Sequence, residues 1–237
     1  VRVEGKKLWL WAVIGAGVIA AGIIFLKNSR EEMPVPAASL TNSNLLWMLD
    51  AGHGGEDGGA VSPSGAIESQ INLEITQRLD SILGFYGTPA LMLRTEDRSL
   101  HDPDAVTLRE KKVSDLHNRA EIVQRYPNAT LLSIHQNIFS QAQYCGTQVF
   151  YAPTQGSQAL AQAIQSAVQA RLQPENAREA KPIPETVYLM NHVSNRAVLV
   201  ECGFLSNPGE ERALQEPGYQ TQLAAVLAME CLNHTVE

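Results

Sequence analysis

Cysteine is scarce in this 237-residue sequence, and its three cysteines, Cys145, Cys202 and Cys231, lie far apart. Three scattered cysteines exclude a disulfide framework and a cysteine zinc cage, so we interpret them as small buried hydrophobic residues. Basic residues are also few: 18 lysines and arginines against 25 acidic residues leave a net charge of −7. Because nucleic-acid interfaces need clustered positive charge, we predict no nucleic-acid partner.

Charge is absent from residues 8–26, LWLWAVIGAGVIAAGIIFL. A helix of roughly 20 apolar residues is long enough to cross a bilayer. Basic residues precede this segment, whereas those that follow it are offset by Glu31 and Glu32, which favours an inside N-terminus and a body outside the cytoplasm. We therefore predict a membrane anchor over residues 1–27. The alternative is a cleaved signal peptide, whose apolar region is normally shorter.

Residues 28–44 are polar, contain prolines and show no periodicity, which is typical of a linker. The remaining residues, 45–237, are predicted to form one domain in which short apolar runs alternate with helical patterns. The predicted strands are 45–49, 90–94, 130–134, 147–152, 186–190 and 197–201, and the helical patterns are 71–82, 114–126, 156–172 and 217–232. This alternation predicts an α/β fold, a twisted and mostly parallel sheet flanked by helices. The strand 147–152 follows its predecessor without a long crossover, so it is the candidate for a break in the parallel order.

Three side chains capable of chemistry stand at the ends of predicted strands. His53 follows strand 45–49, His135 follows strand 130–134, and Glu201 ends strand 197–201. In an open parallel sheet, ligands bind outside the carboxyl ends of the strands. We therefore expect these three side chains to converge on one rim.

Glu68 is a fourth candidate, because it shares one helical stripe with Ile71 and Ile75. An ionised carboxylate on a buried stripe is costly unless a cation or a strong donor meets it. A metal ion bound by His53 and His135 would be such a partner. Two imidazoles and one carboxylate, with a coordination position left open, form a catalytic zinc arrangement.

Alternatives exist for these assignments. Glu68 could instead form a buried ion pair with Arg119, and Asp57 or Glu56 could replace it as the carboxylate ligand. Cys202 could be a nucleophile, but strand alternation places it on the face opposite Glu201. The remaining histidines show no partner pattern and are interpreted as structural or exposed: His101, His117, His192 and His234.

Glu201 could also be a carboxylate at the start of a helix. The following sequence SNPGEE already meets that need, because Asn207 is a capping residue, Pro208 suits the first helical position and Glu210 would complete a capping box. Glu201 is then unexplained by local structure. A general base beside a metal-activated water would explain it.

Five motifs in their order along the chain closely resemble those of the zinc-dependent N-acetylmuramoyl-L-alanine amidases. They are LDAGHGGEDGGA, Glu68 followed by INL, SIHQN, GTQVFY and VECGFLSNPGE. The resemblance covers 45–237 almost completely and implies a zinc amidase catalytic domain. It implies that His53, Glu68 and His135 bind zinc and that Glu201 is catalytic. The implied substrate is peptidoglycan, both glycan strands and stem peptides, cut between the muramic lactyl group and L-alanine.

REKKVSDLHNR, residues 109–119, resembles more narrowly the germination-specific branch of that family in spore-forming bacteria. That resemblance implies removal of stem peptides from cortex peptidoglycan before muramic lactam forms. It also implies a single-pass protein of the cell membrane, with its catalytic domain outside the cytoplasm, in the forespore or spore envelope. Because no appended wall-binding module is visible, targeting is expected to come from the anchor or from an activating partner protein.

Two rival functions fit the same residues. Another peptidoglycan-directed zinc hydrolase, a carboxypeptidase or a deacetylase, would need the same chemistry at the metal. A non-catalytic, membrane-tethered wall-binding protein would not need it, and degenerate proteins of that kind usually lack the base or a ligand. All four candidate residues are present here, which favours an enzyme.

The anchor hypothesis predicts the fractionation of the full-length protein. We expect it to stay in the membrane fraction after an alkaline wash, because about 20 apolar residues cross the hydrocarbon core. A version that starts at Ser39 should be found in the supernatant, folded. Recovery from cells of a mature form cut just after residue 26 would show a signal peptide instead.

Overall fold

The computed structural model describes residues 47–234. The predicted anchor and linker, residues 1–27 and 28–44, lie outside this part. No helix within the described part is long and apolar enough to cross a membrane.

The core of the fold is a six-stranded sheet in the order β2-β1-β3-β6-β4-β5. The strands are β1 (Trp47–Ala51), β2 (Ala90–Met92), β3 (Thr130–Asn137), β4 (Gln148–Tyr151), β5 (Lys181–Pro182) and β6 (Ala197–Phe204). All neighbouring strands are parallel except β4 and β6. The prediction of a mostly parallel α/β sheet is confirmed, and the strand that breaks the parallel order is the predicted one.

Helices cover both faces of this sheet. They are α1 (Glu68–Phe85), α2 (Leu108–Gln124), α3 (Ser157–Arg171), α4 (Tyr188–His192), α5 (Pro208–Gln215) and α6 (Pro217–Asn233). Helix α2 begins earlier than the pattern 114–126 predicts, because Thr107 and Glu110 form a capping box. At α5, Asn207 caps as predicted, but the Glu210 carboxylate accepts from the backbone N–H groups of Gly146 and Phe204 and does not close a box.

The predicted strand at 186–190 is wrong, because Tyr188–His192 is a short helix. A brief apolar run is compatible with either periodicity. Here the adjacent residues Leu189 and Met190 are both buried in one core, whereas a strand would point them to opposite faces. The edge of the sheet beside β4 is formed instead by Lys181–Pro182, which the sequence pattern did not mark.

Side chains along each strand point alternately to the two faces of the sheet, and each face has its own hydrophobic core. One face carries residues such as Leu132, Val200 and Cys202 in the core that also contains buried residues of α1, α3 and α6. The other face carries Met48 and Leu131 in the core that contains residues of α2 and α4. His135 and Glu201 project to this second face near the carboxyl ends of their strands.

Candidate metal centre

Two buried arginine side chains donate hydrogen bonds to the backbone of the glycine-rich loop that follows β1. The Arg94 guanidinium donates to the carbonyl oxygens of Ala51 (2.8 Å) and Gly52 (3.1 Å). The Arg119 guanidinium donates to the carbonyls of Ala51 (3.0 Å) and His53 (2.8 Å). Arg119 also pairs with the buried carboxylates of Asp50 and Asp115. The hypothesis that Arg119 pairs with Glu68 is therefore wrong, since its guanidinium serves the loop backbone.

This support fixes an unusual backbone at His53, whose φ of 62° lies in the left-handed region. Non-glycine residues adopt that conformation rarely. The consequence is that the imidazole turns from the end of β1 toward the end of β3. The His53 and His135 rings then lie edge to face, with their centroids 5.1 Å apart.

His53, Glu68 and His135 form one cluster. Each offers a ligand atom, and these three atoms lie within 4.8 Å of one another. Oε1 of Glu68 lies 3.0 Å from Nδ1 of His135 and 3.4 Å from Nε2 of His53. Within residues 47–234, this is the one group of three histidine, cysteine or acidic side chains with the spacing of a metal site.

Glycine is required where the loop passes the cluster. A Cβ on Gly59 would lie 2.5 Å from Oε2 of Glu68 and 2.7 Å from Cδ2 of His53, and the residue has a φ of 70°. A Cβ on Gly52 would collide with the His135 imidazole. The glycines therefore let the backbone approach the cluster more closely than any other residue would permit.

Backbone donors and one amide side chain hold the Glu68 carboxylate. It accepts hydrogen bonds from the N–H groups of Ala60 (2.7 Å) and Gln136 (3.1 Å), and Asn72 donates to it at 3.4 Å. Burial would raise the pKa of Glu68, but its hydrogen bonds with the two imidazoles hold the pKa well below its usual range. The cluster therefore carries a buried negative charge between two imidazoles, which is a setting that suits a cation.

Asp57 orients His53, a role that the sequence analysis missed. Its Oδ2 lies 2.9 Å from Nδ1 of His53, and its Oδ1 accepts from Lys112 Nζ at 2.9 Å. A carboxylate on one imidazole nitrogen fixes the ring and leaves Nε2 facing the cluster. Asp57 is thus not a substitute for Glu68, and neither is Glu56, which pairs with Lys111 at the surface. The spacing of four residues between His53 and Asp57 was the available signal.

Glu201 lies beside the cluster, because it is the direct register partner of His135. Its Oε2 atom is buried and has no hydrogen-bond partner within the described residues. Loss of solvent and the nearby Glu68 charge raise the pKa of Glu201 to about 7, although the two histidines act in the opposite direction. The arrangement leaves a buried carboxyl oxygen without a hydrogen-bond partner among residues 47–234, on the residue that pairs with His135.

The other candidates lie elsewhere. Cys202 is fully buried in the core on the opposite face, as predicted, and burial raises the pKa of its thiol. Cys145 is exposed, so its interpretation as a buried residue is wrong. His101 contacts Ser99, and His192 stacks on Tyr188, which also contacts His117. A cavity of about 200 Å³ opens at the cluster, and both metal-site histidines line it together with Lys112, Leu116 and Met190.

An α/β sheet with two histidines and two glutamates converging at its strand ends is the arrangement of a metal-dependent hydrolase. The chain belongs to the Amidase_3 family of N-acetylmuramoyl-L-alanine amidases, whose sequence pattern matches residues 48–229. It is therefore an enzyme of that family, as the resemblance implied.

Individual relatives agree with this assignment. The chain is 32% identical over 234 residues to the germination-specific N-acetylmuramoyl-L-alanine amidase of Bacillus subtilis, covering 98% of this chain and 97% of the relative. Its fold is similar to that of the CwlD amidase of Clostridioides difficile, solved in complex with the GerS lipoprotein (TM-score 0.77, 35% identity, 81% of this chain and 98% of that one). An N-acetylmuramoyl-L-alanine amidase of Clostridium difficile 630 is also similar (TM-score 0.69, 26% identity, 80% and 97%).

Gly59→Ala tests whether close approach of the loop forms the cluster. The new Cβ must displace Glu68 or His53, so we expect loss of divalent metal binding, measured by metal analysis of the purified protein. Gly65→Ala is the matched control, because Gly65 also has a positive φ of 97° but its Cβ would meet no described atom within 4 Å. Full metal occupancy in Gly59→Ala would show that the cluster does not depend on this contact.

Proposed function

We propose that His53, Glu68 and His135 hold a catalytic zinc ion and that Glu201 is the general acid–base of peptidoglycan amide hydrolysis. The bond is the one between the lactyl group of N-acetylmuramic acid and L-alanine. The observation that carries this proposal is the buried, unpartnered Oε2 of Glu201 beside a His–Glu–His cluster.

The donor set fits zinc. Two imidazole nitrogens and one carboxylate oxygen are the ligands of many catalytic zinc sites, which keep a further position open. Asp57 behind His53 is the kind of orienting carboxylate that such sites use. When bound, zinc lowers the pKa of a coordinated water to near neutrality and polarises a carbonyl group.

Glu201 performs the proton transfers in this proposal. Its free carboxylate oxygen accepts a proton from the attacking water and then delivers it to the leaving nitrogen of L-alanine. Burial raises the pKa of this carboxyl group above its ordinary value, and a base with a raised pKa holds and returns a proton more readily. The cavity beside the histidines leaves room for the peptide side of the bond.

The rival functions have less support. A carboxypeptidase or deacetylase would use similar chemistry, but the matching family, the Bacillus subtilis relative and both similar solved structures are amidases. A non-catalytic wall-binding protein would not need a carboxylate left without a partner in a buried position, since such a group destabilises the fold.

Glu201→Gln separates catalysis from metal binding. Glutamine keeps the shape of the side chain but cannot accept the proton of water, so we expect turnover to fall by about 10²–10⁴-fold while zinc content and melting temperature stay unchanged. Release of stem peptides from peptidoglycan measures the turnover. Cys202→Ala, the next residue on the other face, is the control and should stay active. Loss of zinc in Glu201→Gln would make Glu201 a ligand, and normal turnover would remove it from the reaction.

The proposal extends to a role in the spore cortex. Two comparisons support this role: the chain is 32% identical, over 98% of its length, to a germination-specific amidase, and its fold is similar to that of CwlD. CwlD was solved with a lipoprotein, which supports an activating partner protein here as well. We also propose that this is a single-pass membrane protein whose catalytic domain lies outside the cytoplasm. The basis is the apolar segment 8–26, which is long enough to cross a bilayer.

Deletion of the gene in a spore-forming host tests the cortex role. We expect normal vegetative growth and spores that lack muramic lactam, because removal of the stem peptide exposes the lactyl carboxyl group that the lactam needs. Muropeptide analysis of purified spores measures this, and a plasmid copy should restore the lactam. Spores with normal lactam content would reduce the proposal to a general role in the cell wall.

A further inference from the structure

The loop between β3 and β4 exposes an apolar surface next to the candidate metal centre. Ile138, Phe139 and Tyr144 are 44%, 51% and 39% exposed, and the two aromatic rings lie edge to face at 4.8 Å. We call these three residues the aromatic rim. Isolated exposed apolar residues are normal, but a contiguous group at an active site indicates a binding surface.

The rim adjoins the reacting groups by strand geometry. A bulge in β6 makes Phe204 the register partner of Asn137, one pair beyond His135 and Glu201. The bulge thereby returns Phe204 to the side of the sheet that carries Glu201, and Tyr144 lies 6.4 Å from its ring. Phe139 follows His135 by four residues, which limits the distance between their Cα atoms to about 14 Å.

Hydrogen bonds with side chains of two neighbouring loops hold the rim loop in place. Phe139 N–H donates to Ser206 Oγ (3.1 Å), and the Asn207 side chain donates to the Ala142 carbonyl (2.9 Å). Arg178 Nε donates to the Cys145 carbonyl at 2.8 Å, and its guanidinium covers the Phe204 ring. A loop that is ordered before binding loses little conformational entropy when a ligand arrives.

The rim loop is neutral, whereas the opposite edge of the centre is charged. Residues 138–147, IFSQAQYCGT, contain no ionisable acid or base apart from Tyr144 and Cys145, and they present amide and hydroxyl groups beside the rings. Across the centre, on the side of β1, Lys111 and Lys112 pair with acidic loop residues. The sugar rings of the proposed substrate are neutral, as this loop is, whereas its stem peptide carries ionised groups.

We propose that the aromatic rim is a glycan subsite, on which Phe139 and Tyr144 contact the faces of sugar rings of the peptidoglycan strand. This inference rests on the proposed substrate. Sugar rings present C–H groups to a flat surface, and aromatic faces carry the negative potential that attracts them. Gln141 and Gln143, exposed on the same loop, offer donors and acceptors to hydroxyl and N-acetyl groups. The glycan then lies on the β6 side of the cluster and the stem peptide on the side of Lys112.

The test measures affinity of the full-length, zinc-loaded protein for glycan strands freed of stem peptides, by isothermal titration calorimetry. Wild type should bind, and Phe139→Ala and Tyr144→Ala should each bind roughly tenfold more weakly. Phe85→Ala is the matched control, because Phe85 and Tyr86 form a second exposed edge-to-face pair at the far end of α1. It should keep wild-type affinity.

Conservative variants separate ring stacking from simple apolar contact. Phe139→Tyr should keep the affinity, whereas Phe139→Leu should lose as much as Phe139→Ala, and melting temperatures verify the fold of each. Equal binding by Phe139→Leu and Phe139→Tyr would overturn the proposal, as would wild-type affinity in Phe139→Ala or no binding by wild type. This assay measures binding and not turnover, and the proposed role of Glu201 is proton transfer, so Glu201→Gln should bind glycan normally. Failure of the catalytic proposal is therefore distinguishable from failure of the subsite.

Discussion

The rest of the site depends on the contacts that the buried carboxylate of Glu68 makes. It joins the start of α1, the end of β3 and the glycine-rich loop, because its oxygens accept from Ala60 and Gln136 and contact both imidazoles. A carboxylate buried in this way must be met on every side by donors or a cation. The close backbone at Gly59 follows from that requirement, and the arginine-supported backbone of His53 turns its imidazole to the same carboxylate.

The sheet supplies the second constraint. Parallel β1, β3 and β6 bring His53, His135 and Glu201 to one edge, and side-chain alternation sends Cys202 to the opposite core. The bulge at the end of β6 then extends the functional side of the sheet to Phe204 and the aromatic rim. One local irregularity therefore connects the candidate metal centre to the aromatic rim.

Local patterns predicted much of this arrangement, and their failures have physical causes. Strand ends pointed to the three side chains, and helical spacing pointed to Glu68, since periodicity directly reports which face is buried. The short run at 186–190 failed, because five residues satisfy two periodicities and only burial of both Leu189 and Met190 decided between them. Asp57 was missed as the partner of His53, because a carboxylate in a glycine loop has many geometrically allowed contacts.

By itself the sequence predicted the α/β class, the strand that breaks the parallel order and the candidate site residues, because these depend on periodicity and on residue type. Only the tertiary structure decided which carboxylate faces the imidazoles, that Arg94 and Arg119 support the loop and where the exposed aromatic rings lie. Those features depend on contacts between residues far apart in the chain, such as Arg119 with the His53 carbonyl and Glu68 with His135. Local propensity carries no information about such contacts, since packing of the whole domain sets them.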